Sequence, residues 1–173
     1  MPDTIVINRA PVLTLWASVV AECLGYDHEA ALTLGRALAG LNAQSKGRRL
    51  GIYHPSEEKR KPPKKAKPGE TVAVELMGRQ VPVIGTEEGI RAAEDGAVMH
   101  PNQVERYLKG KFGDDLDRAR KAMEALAKSF KPEVLADAAF SLYEQFRPEI
   151  PSGARGWGAK GELDLNYVRS LAK

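Results

Sequence analysis

Nine cations fall within residues 46–69: Lys46, Arg48, Arg49, Lys59, Arg60, Lys61, Lys64, Lys65 and Lys67. Only Glu57 and Glu58 oppose them, so the segment carries a surplus of seven positive charges. The whole chain has a formal net charge of +3, which leaves −4 for all other residues. A mildly acidic body carrying one basic segment suits a polyanionic partner. Each lysine or arginine set on a phosphate releases a condensed counterion, so binding of this kind falls steeply with added salt. The segment has no dedicated base-reading residues, and Tyr53 is its one aromatic. The expected chemistry is therefore phosphate contact without sequence preference. A second group, Arg155, Trp157 and Lys160, lies in the Gly-rich stretch PEIPSGARGWGAKGE. Its indole could stack on a base, with the two cations on phosphate. The competing fate of Trp157 is to fold back as a core plug, which is the commoner one for large aromatics.

Catalytic chemistry has less to stand on. His28, His54 and His100 are far apart, and none has a metal-ligand spacing to another histidine or to Cys23. No G-x-S-x-G elbow occurs, and the acidic pairs Glu87/Glu88 and Asp114/Asp115 sit where helix starts are expected, which the helix dipole explains. Gly156, Gly158 and Gly161 satisfy G-x-G-x-x-G by spacing, but Pro148 and Pro151 precede them where a strand is required. The phosphate-loop pattern fails too, because Ala159 stands where its lysine belongs. No cofactor and no metal are expected, and an enzyme would need a site assembled from distant residues.

These groups must be positioned by helices. Asn8 can cap and Pro11 suits the first turn of a helix that Gly25 stops. Val12, Leu15, Trp16, Val19, Val20, Cys23 and Leu24 make its apolar face. Asp27 caps a second helix over about 28–43, with Ala31, Leu34, Leu38 and Leu41 inward and Gly35, Ala39 and Gly40 allowing close approach. The pair can be tested as a DNA-binding helix-turn-helix. Val20, Leu24, Tyr26, Ala31 and Leu34 satisfy its apolar positions, but the outward set would be His28, Glu29, Leu32, Thr33 and Arg36. Only Arg36 suits a base edge and Glu29 repels phosphate, so sequence-specific reading by this pair is not expected.

Pro55, Pro62, Pro63 and Pro68 then break the basic segment, which holds no apolar side chain larger than Ala66 between Ser56 and Gly69. Such a stretch cannot repay its ordering entropy by burial and should be an extended tether. TVAVEL and QVPVI flank Met77-Gly78-Arg79 as a β-hairpin, and Pro82 suggests an edge for the second strand. Thr86, Glu87 and Glu88 would open a short helix ending at Asp95-Gly96. Asn102 with Glu105 has capping-box spacing for a helix ending near Gly110 or Gly113. Asp114 would cap the next, bearing Leu116, Ala119, Met123, Leu126 and Ala127. Pro132 opens another with Leu135, Ala138, Ala139, Leu142, Tyr143 and Phe146 inward, and Asp164 caps a last one bearing Leu165, Val168 and Leu171.

The expected class is mainly α with a minor β part: a compact multi-helix domain with one short hairpin and a flexible basic linker. The boundaries read 1–45 for the helical hairpin, 46–69 for the linker and 70–173 for the hairpin plus bundle, packing with 1–45 as one domain. No apolar run approaches the 18 residues of a membrane span, and the beginning lacks the pattern of a secretory signal. One cysteine fits a reducing compartment and a small buried core residue, so a cytoplasmic setting is the expectation. KRKPPKKAKP would read as a nuclear import patch in a eukaryotic cell. The expected partners are nucleic acid, met at its phosphates, or an acidic protein; a protein-interaction module without nucleic acid is the competing reading.

Overall fold

The computed structural model describes residues 4–47, 71–86, 89–94, 97–148 and 160–172. It is mainly helical with short strands in two small sheets, as the periodicity predicts. The chain runs β1 (Thr4–Asn8), α1 (Arg9–Cys23), α2 (His28–Gly47), β2 (Thr71–Leu76), β3 (Arg79–Thr86), β4 (Gly89–Glu94) and β5 (Ala97–Val98). It continues through α3 (Pro101–Phe112), a 3₁₀ turn (Gly113–Asp115), α4 (Leu116–Lys128), α5 (Pro132–Phe146), β6 (Lys160–Asp164) and α6 (Leu165–Ser170). The tether reading of the basic segment falls outside the described residues.

The helix α1 is buried without a break from Pro11 to Ala21, as befits a helix that is apolar on nearly every side. It packs on α2, α3, α4 and α5. Trp16 is fully buried there; its indole N–H donates to the Ala139 carbonyl at 2.9 Å, and its ring meets Phe146 edge-on at 5.2 Å. Gly25, at φ 107, stops the helix in the left-handed region, and Asp27 Oδ1 accepts from the Ala30 N–H at 2.7 Å to cap α2. Close approach of the pair is made by Gly35, where a Cβ would fall against the Thr14 carbonyl and 2.9 Å from the Ser18 nitrogen. Gly40 plays no such part, since a Cβ there would meet nothing within 4 Å.

The expected hairpin is present. Met77 and Gly78, at φ 51 and 80, form the two-residue loop that the right-handed twist of the strands favours. It is half of a larger sheet, β2-β3-β4-β5, all pairs antiparallel. The helix expected over Thr86–Asp95 is instead β4, which pairs Val83 with Ala92 and Thr86 with Gly89. Local preference for helix at an Ala- and Glu-containing stretch loses to the strand pairing that buries Ile90 and Ala92. Pro82 is consequently on an inner strand. It faces Ala73 of β2, and the ladder to β4 begins only at Val83, so its missing N–H costs the ladder no pair. A second sheet joins the two ends of the described chain, with Ile5 opposite Leu163 and Ile7 opposite Gly161.

Two capping details also differ. The α3 cap is His100 with Pro101 at the first helical position, in place of Asn102, and Gly113 at φ 58 closes the helix. Neither Asp114 nor Asp115 caps α4 through its side chain, because the 3₁₀ turn leads straight into it. The inward sets of α4, α5 and α6 are otherwise as expected, with Ala138 and Leu171 half-buried, and Asp164 Oδ1 accepts from Tyr167 N–H at 3.2 Å.

Two predictions follow from this packing. Gly35→Ala should lower unfolding free energy by about 1–3 kcal/mol through backbone overpacking, whereas Gly40→Ala should raise it by about 1 kcal/mol through helix propensity. Denaturant titration of both variants checks the pair. Burial pushes the Tyr143 phenol up to about 12, with Arg147 and Arg9 opposing. An unfolded tyrosine ionises near 10, so the stability tied to the neutral phenol is whole below pH 10 and is lost as pH climbs towards 12. That loss should reach about 3 kcal/mol, and Tyr143→Phe should flatten it in alkaline unfolding curves.

Candidate nucleic-acid interface and the helix-pair face

Of the residues singled out in the sequence, two fall on described elements. Lys46 lies in the last turn of α2, and Lys160 opens β6 opposite Asn8. Arg48, Arg49, Lys59, Arg60, Lys61, Lys64, Lys65, Lys67, Arg155 and Trp157 lie outside the described residues. The basic segment is thus bracketed by the end of α2 and the start of β2. Those flanks belong to one packed unit, because β3 and β4 rest on α2.

The outward set proposed for a recognition helix is spent on that packing. Leu32 and Thr33 are buried. The Thr33 hydroxyl donates to the Ala30 carbonyl at 2.8 Å and accepts the Ala92 N–H at 3.0 Å, which ties α2 to the edge of β4. Glu29 Oε2 takes the Arg91 guanidinium at 3.3 Å. Arg91 is only 4% exposed, and it also donates to the Ile90 carbonyl at 2.7 Å, so its charge is held inside the structure by oxygen acceptors. Arg36 lies 4.2 Å from the centroid of the Tyr107 ring on α3, a cation–π contact. Burial pushes the Tyr107 phenol up, with Arg36 opposing. His28 Nδ1 is 3.3 Å from Glu22 Oε2. The helix pair is therefore a dock for the sheet and for α3. Sequence reasoning missed Arg91 because it placed Arg91 on a short helix; the signal that could have found it is the spacing of Ile90 and Ala92 as a strand.

A cavity of about 220 Å³ opens between α1 and α4, lined by Val19, Glu22, Cys23, Glu124 and Lys128. Cys23 is half-buried, in place of the full burial expected. Burial pushes its thiol up, Lys128 opposes this, and Glu22 and Glu124 add to it. A thiol so placed is largely protonated at neutral pH and is a poor nucleophile. Among the described residues no group of three or more His, Cys, Asp or Glu is placed to hold a metal ion, and no helix is long and apolar enough to cross a membrane. Comparison with known proteins brings no family model, curated protein or solved structure that matches this chain.

The tie between α2 and β4 can be tested directly. Thr33→Val keeps the shape but strands the buried Ala92 N–H, and should cost about 1–3 kcal/mol. Thr33→Ser, which keeps the hydroxyl, should recover most of that loss in the same denaturant titration.

Proposed function

We propose that this protein binds nucleic acid through its basic segment, Lys46 to Lys67, by phosphate contact without sequence preference. The observation that carries the reading is the segregation of charge: a surplus of seven positive charges in residues 46–69 against −4 in all the rest. A neutral linker would connect α2 to β2 equally well, whereas clustered lysines and arginines add attraction to phosphate at the same length of chain. Arg155, Trp157 and Lys160 supply further contacts, the indole by stacking and the cations by charge. The helix pair is assigned no part, since Thr33 and Glu29 are bound to β4, Arg36 lies on Tyr107 of α3 and Leu32 is buried. A cytoplasmic setting, expected from the single cysteine, suits this role.

The test is replacement of Lys59, Arg60, Lys61, Lys64, Lys65 and Lys67 by Ser. Wild-type affinity for a mixed-sequence duplex should fall by about a thousandfold between 50 and 200 mM salt, if about six phosphates are contacted. The variant should lose most of both the affinity and the salt dependence while its melting temperature stays unchanged. Intact affinity in the variant would remove the segment from the mechanism and direct attention to an acidic protein partner.

A further inference from the structure

Among the described residues one face of α3 is exposed, and its residue types differ from those exposed on α2, α4 and α5. Val104, Leu108 and Phe112 are buried and mark its inner side. Opposite them stand Asn102, Gln103, Arg106, Lys109 and Gly110, all exposed. At about 100° per residue these five share one arc of about 120°. The arc holds two cations and no carboxylate. Glu105 stands half-buried at one margin, and at the other Tyr107 carries the Arg36 guanidinium, with exposed Lys111 beyond it. The nearest acids in the chain past the helix end are Asp114 and Asp115, and Asp115 is bound to Arg118 at 2.8 Å. Among the described residues the exposed faces of the other long helices carry acids: Glu29 on α2, Asp117 on α4, and Glu133, Asp137 and Glu144 on α5. A Cβ at Gly110 would meet nothing within 4 Å, so this turn of backbone is open to close approach.

The side chains on this arc match what DNA offers to a helix. Asn and Gln present paired donor and acceptor groups that fit adenine, Arg fits the two acceptors of guanine, and Lys meets phosphate. The major groove of B-form DNA admits an α-helix, while the corresponding groove of A-form RNA is too narrow for side chains to read. We propose that the outward face of α3 is a major-groove contact for duplex DNA, with Asn102, Gln103 and Arg106 turned to base edges and Lys109 and Lys111 to the flanking phosphates. This rests on the reading that the chain binds nucleic acid, and it deepens that reading. The basic segment supplies affinity for any phosphate backbone, and α3 supplies the preference for duplex DNA and for particular bases.

The experiment compares three proteins on three labelled probes: a mixed-sequence DNA duplex, the matching RNA duplex and a single strand. The proteins are wild type, the six-serine segment variant, and the triple variant Asn102→Ala, Gln103→Ala, Arg106→Ala. Alanine is a good helix former at these exposed sites, and circular dichroism verifies that the fold is kept. The triple variant should lose affinity for the DNA duplex by about tenfold or more while keeping its affinity for RNA and single strand. Wild type should enrich preferred sequences from a randomised duplex pool, and the triple variant should not. Unchanged DNA affinity in the triple variant, alongside lost affinity in the segment variant, overturns the α3 contact and leaves the segment reading standing. Equal losses on all three probes overturn it as well, because a groove-specific contact cannot weaken single-strand binding. Failure of wild type to bind any probe overturns both readings together.

Discussion

The crossing of α1 and α2 at Gly35 is the constraint on which the rest of the structure depends. With no side chain at that position, the backbone of α2 comes against the Thr14 carbonyl and the Ser18 nitrogen of α1. That closeness lets α1 be enclosed by helices, and an enclosed α1 is what its nearly continuous apolar surface requires. Trp16 then reaches the Ala139 carbonyl and Phe146, which fixes α5 against the same helix. On the far side of α2 the Thr33 hydroxyl and Glu29 receive β4 through Ala92 and Arg91. Helix, sheet and bundle are thus arranged around a contact that a single methyl group would disturb.

Charge is arranged on a different principle from packing. The described body carries its buried Arg91 against Glu29 and its half-buried Arg36 against Tyr107, so these two cations have structural partners. The sequence gathers its excess of positive charge elsewhere, in residues 46–69. On the function proposed above, a polyanion is attracted by the charge of the segment and positioned by the surface of α3. The outward arc of α3 is suited to the second task because a helix holds its side chains at fixed angles.

Legibility in the sequence followed the length over which each signal acts. The stripes of α4 and α5 were plain because their apolar residues recur every three or four positions and bury against neighbours wherever those lie. The Met77-Gly78 loop was plain because its flanking residues alternate on both sides. The candidate site was legible as composition only: the nine cations could be counted, but no spacing among them says what they touch. The outward face of α3 is hidden in the sequence because Asn102 and Glu105 have the spacing of a cap, whereas His100 caps the helix and Pro101 begins it. The helix-turn-helix pattern was visible but empty, since the same spacing serves an ordinary helical hairpin whose outer face meets a sheet.

By itself the sequence determined that the chain is mainly helical, where its long helices run, and that its positive charge is gathered in one segment. These properties are local, set by periodicity, capping and composition within a few turns of chain. Only the tertiary structure decided that residues 89–94 are a strand and that β1 pairs with β6 across most of the chain. It alone decided, too, that Leu32 and Thr33 are buried while Asn102, Gln103 and Arg106 face outward. Strand pairing and burial depend on a partner distant in sequence, and no local pattern records which partner will be there.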